Sequence, residues 1–253
     1  MDCYHNLAKM DECYFENNID TNFSLFHLKC QQSFTGEIQD NALIDGCMAV
    51  RSCTENIDTY KSYCLLSEDD FSLSMRQAVV ADLCRGELDG IIKGYFRSNY
   101  MALWMRWFVN RPEDKLPPSF GWHIDSGPMR HLKLLLYLNH PYECDGVTQI
   151  LDLGQTERVK RVGYPMCGLE RRISDIKELS KVCGFECTPS SFQLNAGDGI
   201  LFEPFNILHR ARWPTFGARY VIQICFIPSI EPIEDVGKLY NLPRYTNAWP
   251  TFK

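Results

Sequence analysis

The chain carries Trp122-His123-Ile124-Asp125, a solitary His209 far downstream, and Arg219 soon after that histidine. A His-x-Asp pair completed by one distant histidine is the ligand set of a non-haem Fe(II) centre. In a β-strand, residues i and i+2 face the same side, about 6–7 Å apart along the chain. A strand placing His123 and Asp125 therefore offers an imidazole nitrogen and a carboxylate oxygen to a common point. It cannot supply a third ligand close by without bending, so the third must come from a neighbouring strand that the chain reaches later. Three protein ligands on one face leave coordination positions open for a bidentate oxoacid and for O2.

A lone His-x-Asp arises often by chance, so its surroundings matter. His131-Leu132-Lys133-Leu134-Leu135-Leu136-Tyr137-Leu138-Asn139 follows as an apolar strand. The Gly197-Asp198-Gly199 turn precedes the His209 segment, where Pro204 interrupts a strand-like run. Gly217 to Phe226 reads as one more buried strand. Arg219 opens it, and arginine presents a planar fork that matches a carboxylate bidentately and keeps its charge. A buried guanidinium without a partner is costly, so Arg219 either meets a carboxylate-bearing co-substrate or lies on the surface beside the Pro214-Thr215-Phe216-Gly217 turn.

In order and spacing these segments resemble the phytanoyl-CoA dioxygenase-like family of Fe(II)/2-oxoglutarate oxygenases. The quoted motifs are Trp-His-x-Asp, Leu-Lys-Leu-x-Leu-Tyr-Leu-Asn, Asp-Gly-Val-Thr, Gly-Asp-x-Ile-Leu-Phe-(x)6-His-Arg and Gly-x-Arg-Tyr, over residues 95–230. The resemblance implies a mainly β protein with flanking helices around a double-stranded β-helix (jelly-roll, cupin-like) core. It implies iron ligands at His123, Asp125 and His209, and Arg219 on the distal carboxylate of 2-oxoglutarate. It places the strand face of Lys133 along the same co-substrate pocket, the alternative being an outward lysine with Leu135 and Tyr137 covered by a helix or a partner. Thr148 is a further candidate for that pocket. The resemblance also implies O2 as the oxidant and a small molecule as substrate. Related halogenases lack the carboxylate ligand, so Asp125 points to hydroxylation, with desaturation, ring formation and demethylation open. The chain departs from the family at Asp152-Leu153-Gly154-Gln155-Thr156, where many relatives carry Pro-Gly-Ser-His beside the substrate opening. The alternative is a non-catalytic or 2-oxoglutarate-independent metal-binding jelly-roll protein. Arg106, in Leu103-Trp104-Met105-Arg106-Trp107-Phe108, either faces solvent or meets an anionic substrate group.

One domain is expected, in three parts. Residues 1–92 read as a mixed, partly helical part packing on the barrel, 93–230 as the catalytic core, and 231–253 as a Pro- and aromatic-rich tail on the surface. A helix start at Ser67-Glu68-Asp69-Asp70 leads into Phe71, Met75, Val79 and Leu83 at four-residue spacing, a buried stripe ending at Gly86 and Gly90. A second helix over Glu170–Val182, closed by Gly184, is an insertion between barrel strands. The net charge of −6 leaves no broad basic surface for nucleic acid or an anionic membrane. No apolar run reaches membrane-spanning length, and the opening residues show no secretory signal. The 12 cysteines lack zinc-site spacing and read as mostly reduced, in a cytoplasmic protein.

Overall fold

In a computed structural model of the chain, residues 27–36, 43, 46–66, 72–114, 120–125, 130–164 and 171–230 are described. Seven strands are named among them: β1 (Cys47–Val50), β2 (Asn99–Asn110), β3 (Leu132–Tyr137), β4 (Thr148–Ile150), β5 (Gly199–Phe202), β6 (His209–Ala211) and β7 (Arg219–Ser229). The large sheet has the order β1-β5-β3-β7-β2, and β4 pairs with β6 in a second sheet. All these pairings are antiparallel. β1 comes from the N-terminal part, so the large sheet takes in a segment before residue 93.

The run Leu132–Tyr137 is apolar without alternation because both of its faces are covered. On one side Leu132, Leu134 and Leu136 join Ile222, Ile224 and Phe226 against helices α1 (Ile57–Tyr63), α2 (Leu73–Leu83) and α3 (Gly86–Phe96). Each fully buried aliphatic side chain there contributes about 1.5–3 kcal/mol over an exposed one. On the other side Leu135, Tyr137, Ile200, Phe202 and Val221 meet Ile150 of the second sheet and Ile207, which precedes β6. This second interface is the interior between the two sheets.

The expected helix start at residues 67–70, and Phe71 of its stripe, lie outside the described residues. The described helix α2 begins after Ser72, whose side chain accepts from the Met75 amide. Val79 and Leu83 are buried as expected. As expected, α2 ends at Leu83, just before Gly86, which adopts the left-handed conformation at φ 57°. Gly90 instead lies inside α3, where Leu88, Ile91, Ile92 and Phe96 form a buried face strong enough to carry a glycine.

The expected helix over Glu170–Val182 is described as α5 (Ile176–Cys183), shorter at its start. Asp175 caps it by accepting from the Lys177 and Glu178 amides, and Gly184 closes it in the left-handed conformation at φ 72°. A further helix, α4 (Leu153–Arg161), occupies the segment where the family pattern is lost. Asp152 caps it through the Gln155 amide at 2.7 Å. Helices α4 and α5 pack Val159, Leu179 and Cys183 against Trp122, Leu151 and Leu208, behind the second sheet. The tail at 231–253 lies outside the described residues.

Candidate metal centre

His123 and Asp125 do not sit on a regular strand, in contrast to the expectation from their i, i+2 spacing. Residue 123 makes a single antiparallel bridge to His209, through His123 N to His209 O at 3.0 Å and His209 N to His123 O at 2.9 Å. The Asp125 amide then donates to Pro204 O at 2.8 Å, which anchors the carboxylate residue beside the segment that carries His209. Direct backbone pairing of 123 with 209 explains how ligands so distant in sequence reach one point.

The imidazoles are aimed by their backbone. Nδ1 of His123 lies 2.7 Å from Gly121 O, and Nδ1 of His209 lies 2.9 Å from Ile207 O. Each carbonyl accepts a proton on Nδ1, which leaves the Nε2 lone pair directed inward. Both Nε2 atoms face the same carboxylate oxygen: Asp125 Oδ1 is 3.4 Å from His123 and 3.7 Å from His209. The ligand atoms of all three residues lie within 4.8 Å of one another. Burial, and repulsion from His123, hold the His209 pKa well below its usual value, so its ring is neutral and available as a ligand. Burial favours protonation of Asp125, but the Lys133 charge, the His123 hydrogen bond and the neighbouring imidazoles together hold it well below the usual carboxylate range. Two imidazoles and one carboxylate on a single point fit a divalent transition metal.

Lys133 is buried and reaches Asp125 through its other oxygen, Oδ2. Its ammonium also lies 5.6 Å from the Trp104 ring centre and 6.0 Å from that of Phe202. Lys133 therefore acts on the carboxylate ligand and steers Oδ1 toward the histidines. Expected along the co-substrate pocket, Lys133 contacts Asp125 and lies two inward-facing positions along β3 from Tyr137.

Arg219 lies at the opposite end of the same interior and is 1% exposed. Its partners are all neutral: Asn110 Oδ1 at 3.1 Å, and Tyr137 Oη and Thr148 Oγ1 at 3.4 Å each. Its Nε is buried with no hydrogen-bond partner among the described residues, and no described carboxylate forms an ion pair with it. Burying a cation this way is unfavourable unless an anion completes the site. Thr148 and Tyr137 are held together at 2.5 Å, so the hydroxyls near the guanidinium form a fixed pair. Gly146 makes the packing possible, since a Cβ there would lie 2.8 Å from Arg219 Cδ and 2.9 Å from Cys144 Sγ.

Asn110 and Tyr137 were not singled out from the sequence, although Tyr137 shares a strand face with Lys133 and Asn110 closes the aromatic run of β2. Thr156 was seen only as a departure from a family pattern. It is fully buried, and its hydroxyl donates to Leu151 O and accepts from the Leu208 amide, both at 3.1 Å. It thereby fixes the strand that presents His209. Tyr164 similarly donates to Trp122 O at 3.0 Å and accepts from the Ile173 amide at 2.6 Å. Nothing local in the sequence marks either contact.

No protein-family model matches the chain, and no curated protein matches it. Solved structures do. EctD from S. alaskensis with bound Fe aligns at a TM-score of 0.54 and 13% identity, over 80% of this chain and 84% of that one. The same protein with 2-oxoglutarate and 5-hydroxyectoine gives 0.51 and 12%, over 77% and 79%. The non-heme alpha ketoglutarate dependent carbocyclase SnoK from nogalamycin biosynthesis aligns at 0.49 and 14%, over 82% and 94%. At these identities the likeness is one of fold. The chain is a mainly β protein with a cupin-like jelly-roll core and flanking helices.

Proposed function

We propose that the chain is an Fe(II)- and 2-oxoglutarate-dependent oxygenase that oxidises a C–H bond of a small molecule, most simply by hydroxylation. His123, Asp125 and His209 hold the iron. Arg219 takes the far carboxylate of 2-oxoglutarate, beside the Thr148 and Tyr137 hydroxyls. The observation that carries this is the buried Arg219 guanidinium, which has only neutral partners among the described residues and shares one interior with a candidate triad of metal ligands. A metal-binding jelly roll with no oxoacid leaves that charge unexplained. EctD, which has this fold, is described with iron and with 2-oxoglutarate, in keeping with the proposal. The motif order over residues 95–230 favours the phytanoyl-CoA dioxygenase-like branch.

Iron and 2-oxoglutarate, when bound, supply O2 activation with release of succinate and CO2. The chain's own residues do the rest. Lys133 keeps the Asp125 carboxylate turned so that one oxygen serves the metal. Gly121 O and Ile207 O hold the imidazoles in the ligating tautomer. Leu135, Ile150 and Val221 exclude water from the path between the metal end and Arg219.

Anaerobic addition of Fe(II) and then 2-oxoglutarate tests the proposal. A weak visible absorption band from the iron–oxoacid chelate is expected, with succinate release once O2 is admitted. Asp125→Ala should lose both. A protein that binds iron but gives neither band nor succinate would refute it.

A further inference from the structure

The turn that follows β5 borders a cavity on the helix side of the large sheet. In the pairing of β5 with β3, Leu201 lies opposite Leu134 and Phe202 opposite Lys133. Leu201 packs toward the helices. Phe202 faces the second sheet, where its ring centre lies 4.8 Å from that of His209. The Glu203 amide donates to Gly46 O at 2.8 Å and so prolongs the pairing with β1 by one residue. Alternation therefore turns Glu203 to the side of Leu201, away from the metal ligands.

The chain then folds back sharply, with the Asn206 and Ile207 amides donating to Glu203 O at 3.0 and 2.9 Å. Glu203, Phe205 and Asn206 of this turn, together with Tyr95 of α3 and Arg130, line a cavity of about 240 Å³. Tyr95 packs against the helix-side core, which independently puts the cavity on that face. Its volume falls below the roughly 300–1,000 Å³ of pockets for drug-sized ligands and suits a molecule of amino-acid size.

Two opposite charges line this space without meeting. The half-buried Glu203 carboxylate accepts from Asn206 Nδ2 at 2.6 Å, and Arg130 stands exposed at the rim. Neither forms an ion pair with a described residue. Burial and the Glu203 carboxylate push the Tyr95 pKa up, and Arg130 opposes them. One hydroxyl thus lies within electrostatic reach of both charges, and the Tyr95 and Phe205 rings add apolar wall. A carboxylate and a guanidinium held apart on one cavity are best matched by a ligand carrying the reverse pair, each end making charge-assisted hydrogen bonds.

We propose that this cavity binds a free α-amino acid, with its carboxylate on Arg130, its ammonium on Glu203 and its side chain against Phe205 and Tyr95. The site is separate from the metal centre, because the large sheet stands between them, and it does not rest on the iron and 2-oxoglutarate assignment. An amine or a carboxylate alone satisfies only one of the two charges.

Calorimetry on the full chain tests this, first metal-free and then loaded anaerobically with Fe(II) and 2-oxoglutarate. The probes are L-leucine and L-phenylalanine, their decarboxylated amines (isopentylamine and phenethylamine) and their deaminated acids (4-methylpentanoate and 3-phenylpropionate). At least one amino acid should bind saturably to both forms of the protein, and its amine and its acid at least about tenfold more weakly. Glu203→Gln and Arg130→Gln should each weaken the amino acid by about tenfold. Arg130 is exposed, so Arg130→Gln keeps the fold and decides the matter even where Glu203→Gln unfolds. No saturable binding of either amino acid, equal binding of amino acid, amine and acid, or binding indifferent to Arg130→Gln would overturn the proposal. Binding that requires Fe(II) and 2-oxoglutarate would also overturn it, by placing the ligand at the metal centre.

Discussion

Replacing Arg219 separates a co-substrate anchor from a structural arginine. Arg219→Met keeps the length and apolar contacts of the side chain and removes its charge. A hydrogen bond to a charged group is worth about 1.5–3 kcal/mol. Loss of a bidentate pair to the 2-oxoglutarate carboxylate should then raise its Kd by about 100-fold or more, since each 1.4 kcal/mol is about tenfold. The anaerobic absorption band gives this Kd directly, by titrating 2-oxoglutarate into the iron-loaded protein. Stability supplies an independent reading. A ligand at about 100 times its Kd stabilises the fold by about 2.7 kcal/mol, which is about 5–10 °C in Tm for a chain of this size. The parent should show that shift with iron and 2-oxoglutarate, and the variant at the same concentrations should not. Metal-free Arg219→Met should unfold close to the parent, because an unpaired buried cation is removed along with three bonds to neutral groups. A variant with unchanged 2-oxoglutarate affinity, or one whose metal-free form loses several kcal/mol, would refute the assignment.

Lys133→Met should weaken iron binding by about 10- to 100-fold, as expected for the partner that orients a metal ligand, and should change 2-oxoglutarate affinity of the iron-loaded protein far less. The opposite pattern in iron and 2-oxoglutarate titrations would place Lys133 on the co-substrate. Gly146→Ala should push the Arg219 side chain aside and weaken 2-oxoglutarate by about tenfold or more with iron affinity preserved, as read from the same titrations. Asp198 accepts from the Ser52 and Asn195 amides and from Arg51, at 2.8, 2.9 and 2.8 Å. Burial alone would raise its pKa, but those two amides and Arg51 hold it below the usual carboxylate range. Its contribution is therefore present above about pH 4 and is lost as pH falls through the folded value. Asp198→Asn should cost about 1.5–3 kcal/mol at pH 7 by urea unfolding, and the two proteins should converge below about pH 3.

Much of the barrel was legible because apolar periodicity is local. Leu132–Tyr137 and the stretch from Arg219 read as buried strands and are so described, as β3 and within β7. Helix boundaries were less legible. The stripe of α2 and its end before Gly86 were visible, but a buried face in α3 carries Gly90 within a helix. Helix α4 was missed because its segment was compared with a family loop, although Asp152 three residues before Gln155 is a capping signal in its own right.

The sequence by itself determined the chemistry on offer: two histidines and a carboxylate suited to Fe(II), an arginine suited to a carboxylate, and strands apolar enough to enclose them. These are properties of residue type and short-range pattern. Only the tertiary structure decided which groups meet. It paired residue 123 with 209, anchored Asp125 on Pro204 O with its carboxylate between both rings, and set Lys133 against that carboxylate. It also left Arg219 buried among neutral partners. Those outcomes depend on sheet register and on turns between distant segments, and no local pattern in the chain encodes either.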